Sequence, residues 1–163
     1  LCRGQSGGIV AKDKKDGKDK PRGEKAALID GLNIDLQGEF QAVIMYRLYA
    51  SMVQGPYRQE LRTFFANEIP EELMHAQILA DKISALGGTP AAPAAKVPVV
   101  KEAKQMLQEA LKAEVETIER YTKRREQAEK AGEVGLAAQF DDILMDETHH
   151  RDELQQMLAR WPY

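Results

Sequence analysis

Apolar residues recur at alternating steps of three and four along most of this chain, the spacing of one face of an α-helix. From about residue 24 to 53 the stripe is Ile29, Leu32, Leu36, Val43, Tyr46, Ala50 and Val53. Gly55-Pro56 ends it, because proline cannot continue a helix and disfavours helical geometry in the residue before it. A second helix carries Leu61, Phe65, Leu79, Ile83 and Leu86 and stops at Gly87-Gly88. A third is expected from about 99 to 130, with Leu107, Leu111, Ile118 and Tyr121. After a break at 131 to 135, a fourth carries Phe140, Ile143, Leu154, Met157 and Trp161. Pro70, inside the second helix, removes the bond to the carbonyl of Ala66 and is expected to kink the helix just before Glu72.

The connections set the topology. Thr89 to Pro98 reads TPAAPAAKVP, a proline-rich stretch that favours an extended conformation. At about 3.1 Å per residue it can run roughly 30 Å, the length of a 20-residue helix. The third helix can therefore start from the opposite end of the molecule. Four long helices joined short, long, short make an all-α four-helix bundle with one crossover between the second and third helices.

Each stripe is interrupted at its centre. Glu39 lies between Leu36 and Val43; Glu68, Glu72 and His75 lie between Phe65 and Leu79; Glu114 lies between Leu111 and Ile118; Glu147 and His150 lie between Ile143 and Leu154. A buried carboxylate without a partner costs several kcal/mol even after relaxation, so four of them facing one interior need countercharge. No basic residue of the bundle lies on the stripes beside them. In an antiparallel hairpin, residues equidistant from the turn are level. The midpoint of Glu39 and Glu72 is 55.5, at Gly55-Pro56, and that of Glu114 and Glu147 is 130.5, beside the break at Gly132. Both pairs are separated by 33 positions (72−39 and 147−114), so the chain is a twofold repeat of a Glu followed by Glu-x-x-His. Within each Glu-x-x-His the i, i+3 spacing puts both side chains on one helical face.

Charge sharpens this picture. The 163 residues hold 23 Lys+Arg and 26 Asp+Glu, a net charge of −3. Residues 1 to 25 hold eight basic and four acidic groups, or +4, which leaves 15 basic against 22 acidic, or −7, for the rest. Residues 1–23 are expected to be a flexible charged arm, since they have few apolar side chains with which to offset the entropy of ordering. Residues 24–163 are expected to form the bundle. Aspartates interleave the arm's lysines, so it is expected to contact DNA poorly. The lone Cys2 allows no internal disulfide, no apolar run approaches a membrane span, and no intact signal peptide is visible, which together suggest a cytoplasmic protein.

Four carboxylates and two imidazoles converging inside a bundle describe a dinuclear metal site, with Glu39, Glu72, His75, Glu114, Glu147 and His150 as ligands. Two divalent cations neutralise four carboxylates. Oxygen and imidazole donors without thiolate suit iron or manganese, and zinc could compete. His149 lies off the stripe and reads as solvated; Glu116 and Glu119 fall outside the repeat and read as surface.

With this ligand set the chain resembles the ferritin-like di-iron proteins. The stretches LNIDLQGEFQAVIMYRLYA, EELMHAQ, LKAEVETIERY and ILMDETHHRDEL are similar to bacterioferritin, over about residues 26 to 160. The resemblance implies two iron ions per chain, with Glu39 and Glu114 as terminal ligands, Glu72 and Glu147 bridging, and one imidazole per metal. It implies an outer role for Tyr46, and positions at Glu68 and Glu71 that guide a further iron. Haem-binding relatives place a methionine directly after the first bridging glutamate; here that residue is Leu73, so no haem is expected. Members that form 24-subunit cages carry a fifth helix, which is not expected here; a dimer or a twelve-subunit shell similar to Dps fits better. The implied activity is that of a ferroxidase acting on Fe(II) with O2 or H2O2, for iron storage or detoxification. The alternatives are a di-iron peroxidase similar to rubrerythrin, which would need a further glutamate where Thr117 stands, and a metal-poor structural or DNA-binding bundle.

Overall fold

The structure, a computed structural model, describes residues 19–162, with side chains from residue 22 onward. Among these residues there are four helices: α1 (Asp19–Met52), α2 (Arg58–Ala85), α3 (Ala103–Lys130) and α4 (Val134–Ala159). The expected four-helix bundle is the one observed. Residues 1–18, the greater part of the expected arm, lie outside the described residues, and α1 begins at Asp19, five positions before the expected start at Glu24. No helix among the described residues is long and apolar enough to cross a membrane.

Two helix ends show why the turns are where they are. Gly87 has φ +82° and Gly132 has φ +77°, a backbone region that favours glycine. The amide of Gly88 donates back to Ile83 and that of Glu133 to Ala128, each at 2.9 Å, which closes the last turn of α2 and of α3. The Pro70 ring faces solvent, and the helix continues unbroken from Arg58 to Ala85.

The crossover runs along α1. The amide of Ala91 donates to Asn33 Oδ1 at 2.7 Å, that of Ala95 to the carbonyl of Gln37 at 2.9 Å, the Gln41 side chain to the carbonyl of Lys96, and Tyr49 Oη to the carbonyl of Pro98 at 2.8 Å. From Asn33 to Tyr49 this is about 24 Å of helix. Val97 and Val100 pack on the apolar cluster at the far end, so the extended chain persists and α3 starts at Ala103 rather than at 99. Starting there makes α3 antiparallel to α1.

The core has two halves. One gathers Leu28, Leu32, Leu36, Leu79, Ile83 and Phe140, among others; the other gathers Met45, Tyr49, Phe65, Met106, Leu107 and Leu154. Ile29, Val43, Leu111 and Ile118, expected on the stripes, are only half-buried, whereas Leu28, Met45, Tyr49 and Met106 are buried. Strict three-four alternation has a period of 3.5, and a helix of 3.6 residues per turn drifts off it by about 20° per heptad. Over helices of this length the core face moves to neighbouring positions.

Where α1 crosses α3, a buried ion pair replaces apolar packing. Arg124 Nε lies 2.7 Å from Asp35 Oδ2, and Arg120 Nε lies 3.5 Å from Asp35 Oδ1. Gly31 and Gly38 flank the cluster, and a Cβ on Gly31 would meet the Arg124 guanidinium at 1.6 Å. Burial pushes the Asp35 carboxyl up, against the pull of the two guanidiniums. Removing Arg124 takes away the shorter ion pair and leaves the buried Asp35 with only the longer contact to the partly exposed Arg120. Arg124→Met is therefore expected to lower unfolding stability by about 3–5 kcal/mol in a urea titration, with most of the loss recovered when Asp35→Leu is added.

Candidate metal centre

Between the two apolar halves lies a polar layer. It contains Glu39 from α1, Glu72 and His75 from α2, Glu114 from α3, and Glu147 and His150 from α4, none more than 3% exposed. The i, i+3 spacing places each Glu-x-x-His pair on an inward face, and the two short hairpins bring Glu39 level with Glu72 and Glu114 level with Glu147. The structure thus brings together all six residues singled out from the sequence.

Their donor atoms fall into two groups, each within 4.8 Å: Glu39, Glu72, His75 and Glu147 in one, and Glu72, Glu114, Glu147 and His150 in the other. Glu72 and Glu147 belong to both. His75 Nδ1 lies 3.0 Å from Glu147, 3.7 Å from Glu72 and 3.9 Å from Glu39; His150 Nδ1 lies 3.8 Å from Glu72 and 3.9 Å from Glu147. None of these contacts is a hydrogen bond. Glu39 Oε2, Glu72 Oε1, both Glu147 oxygens and both Nδ1 atoms are buried without a hydrogen-bond partner. Buried polar atoms are nearly always paired, so orphaned atoms converging from α1, α2 and α4, with Glu114 of α3 beside them, fit metal ions as their missing partners. Carboxylate and imidazole donors suit iron, manganese or zinc.

The outward atoms, by contrast, are engaged. His75 Nε2 faces Asp146 at 3.4 Å, and His150 Nε2 faces both Glu71 and Glu68 at 3.0 Å. A carboxylate behind an imidazole fixes the ring and raises its basicity as a ligand. The Tyr46 hydroxyl donates to Glu114, and the Tyr121 hydroxyl to Glu39. The expected outer role of Tyr46 therefore has a twin. The second repeat copies the first at an offset of 75 positions: Glu39 and Glu114, Glu72 and Glu147, His75 and His150, and also Tyr46 and Tyr121, Glu71 and Asp146. Applying that offset to Tyr46 and Glu71 was the signal in the sequence for Tyr121 and Asp146, which were not singled out there. Nothing in the repeat pointed to Asp35 or Arg124. His149 is exposed, as are Glu116 and Glu119.

Packing so many acids together changes their protonation. Burial, followed by repulsion from Glu72 and Glu147, drives the Glu39 carboxyl well above its usual range. Burial and then Glu147 do the same to Glu114, against the hydrogen bond from Tyr46 and the charge on His150. Burial alone would lower the two histidines, but close contact with Glu147 and Glu72 raises His75 to about 10, and contact with Glu68, then attraction to Glu114 and Glu72, raises His150 to about 10. Without metal, protons supply the missing positive charge.

The ferritin-like domain family matches residues 29–162. A bacterioferritin from Streptomyces coelicolor is 30% identical over 132 residues, covering 80% of this chain and 79% of that protein. A nutrient stress-induced DNA-binding protein from Nostoc sp. is 27% identical over 150 residues, covering 85% and 81%. Among solved structures, a ferritin-like diiron-carboxylate protein from Bacillus anthracis superposes with a TM-score of 0.81 at 44% identity, covering 83% of this chain and 97% of that one.

The protonation pattern has a definite sign. All four shifted groups hold more protons folded than unfolded, so unfolding stability falls as pH rises: from about 4.5 for the two glutamates, and between about 6.5 and 10 for the histidines. Metal-free protein is expected to lose thermal stability steadily from pH 5 to pH 9. A saturating divalent cation should restore it most at the alkaline end and release protons on binding, as followed by a pH indicator. A thermal midpoint that rises with pH in the absence of metal would contradict this assignment.

Proposed function

The chain belongs to the ferritin-like family, and on that premise we propose that it is a ferroxidase, oxidising Fe(II) to Fe(III) at paired positions inside the bundle for iron storage or detoxification. The observation that carries this reading is the set of orphaned donor atoms in two groups that share Glu72 and Glu147. Glu39 and Glu114 would then each hold one iron, Glu72 and Glu147, which belong to both groups, would be shared between the two, and His75 and His150 would each offer Nδ1. Four carboxylates balance the charge of two Fe(II) substrates without further counterions.

Each substrate ion gives up one electron. The pair of electrons, with two protons, reduces O2 to H2O2 or H2O2 to two waters. The protein contributes arrangement and charge. Tyr46 and Tyr121 aim Glu114 and Glu39 inward, Asp146 and Glu71 set the ring orientation of His75 and His150, and the apolar halves above and below keep the layer from solvent. The half-exposed Glu71 and Asp146 are the groups through which protons can reach or leave the site.

Thr117 favours this reading over a peroxidase similar to rubrerythrin. Its Oγ1 accepts from Arg120 at 2.8 Å, so the position three residues after Glu114 offers a hydroxyl tied to a guanidinium in place of a further carboxylate. The assembly is a homo-oligomer, a dimer or a twelve-subunit shell, and of the two only the shell offers an interior for stored iron.

Anaerobic Fe(II) titration is expected to saturate at about two irons per chain, and Glu72→Ala with His75→Ala to abolish stoichiometric binding. Unchanged binding in that variant would refute the site. Following the titration with separate O2 and H2O2 pulses, and weighing the particle on the same sample, separates the roles. Accumulation of many irons in a large particle supports storage, whereas fast peroxide turnover by a dimer that retains its two irons sinks it.

A further inference from the structure

The two halves of the metal layer are related by the 75-residue repeat, and the places where that repeat fails are informative. Its ligands and tyrosines have counterparts, and the outer carboxylate Glu71 has Asp146. Two features do not. Glu68, against His150 Nε2, has as its counterpart Ile143, a buried hydrocarbon. The cluster of Asp35, Arg120 and Arg124 has as its counterparts Ala110, Met45 and Tyr49, all three fully buried in the apolar half nearest Glu114.

Both departures bias the site in the same direction. Asp35 precedes Glu39 by one turn of α1, about 6 Å along the axis, and Arg120 and Arg124 flank Tyr121, whose hydroxyl holds Glu39. Glu114 is held instead by Tyr46, which stands eleven positions beyond Asp35 on α1. Two guanidiniums against one carboxylate leave the cluster positive, with Arg124 and Asp35 buried and Arg120 at its partly exposed edge. Positive charge close to Glu39 opposes a cation in the group of Glu39 and His75. One more carboxylate beside His150 favours a cation in the group of Glu114 and His150.

Resting on the reading that the layer binds a pair of metals, we infer that the two positions are unequal: the Glu114 and His150 position takes a divalent cation first, and Arg120 with Arg124 weakens the Glu39 and His75 position. Arg120, Arg124 and Glu68 are then positioning residues, which act through the field they impose and not by ligation. The consequence for the reaction is ordered loading. The site becomes competent to transfer two electrons only when the weaker position fills, so its affinity sets the Fe(II) concentration at which oxidation begins. A single bound iron, able to supply one electron, is not committed to the reaction.

Anaerobic titration of the full chain with Co(II), followed by calorimetry and by the visible absorption of the ion, tests this without any turnover. Two binding steps are expected, the first tighter by about tenfold or more. His150→Ala should lose the tight step, and His75→Ala should keep it. Arg120→Gln, at a partly exposed position, should strengthen the second step by severalfold, and Glu68→Gln should weaken the first, each with unchanged helical circular dichroism. Inseparable steps in the wild-type chain, a tight step that survives His150→Ala and vanishes in His75→Ala, or a ratio of affinities unmoved by both Arg120→Gln and Glu68→Gln would overturn the inference. Failure of the wild-type chain to bind Co(II) at all would instead overturn the metal-site reading on which it rests.

Discussion

Four carboxylates and two imidazoles share one buried layer, and the need to neutralise them organises the rest of the molecule. Burying one uncompensated carboxylate is costly, and burying four within contact of one another is tolerable only when positive charge arrives with them. In the absence of metal that charge is carried by protons on Glu39, Glu114, His75 and His150; two divalent cations supply the same neutrality. The layer therefore exchanges one kind of cation for another, and its stability and its capacity to bind metal are two aspects of one charge balance. The apolar halves on either side provide the folding energy that holds such a layer in place, and they contain almost no other ionisable group.

The geometry of that layer depends on the crossover. A short connection after α2 would start α3 at the near end of α1 and make the two helices parallel. The extended segment from Thr89 to Pro98, tied to Asn33, Gln37, Gln41 and Tyr49, delivers α3 to the far end, so that α1 and α3 run antiparallel. Only in that arrangement can Tyr46 meet Glu114 while Tyr121 meets Glu39. The glycines of α1 serve the same end: Gly31 and Gly38 leave space for Arg124 and Arg120 to reach Asp35, which fixes how closely and at what height the two helices meet. An ion pair about one turn from the metal layer thus sets the register of the helices that build it.

The repeat explains both the symmetry of the site and the limits of that symmetry. Residues that touch the ligands are matched in both copies except Glu68, whose counterpart is Ile143, and Glu71 and Asp146 differ only by a methylene. Away from the donors the copies diverge into an ion cluster on one side and packed hydrocarbon on the other. Ligation constrains residue type tightly because coordination distances and donor chemistry leave few choices, whereas the space behind it can be filled by any residues that pack and balance charge.

What the sequence determined by itself was whatever follows from spacing within one helix or across one short turn. The helical stripes, the glycine and proline stops, the interrupted core positions and the level pairing of Glu39 with Glu72 and of Glu114 with Glu147 were all legible, because the 3.6-residue period and the two-sided geometry of a hairpin are local rules. The six donors, and the family they point to, followed from those. The tertiary structure alone decided what depends on the packing of α1 against α3 and of α2 against α4. The Tyr121 hydroxyl on Glu39, the pairing of His75 with Asp146, and Asp35 buried under two guanidiniums join residues 71 to 89 positions apart, across contacts that no periodicity reports. The same limit applies to the core stripe, where the slow drift between a 3.5 and a 3.6 period moved burial from Ile29 and Val43 to Leu28 and Met45. Local spacing fixes which way a side chain leaves its helix; only the assembled bundle fixes what stands opposite.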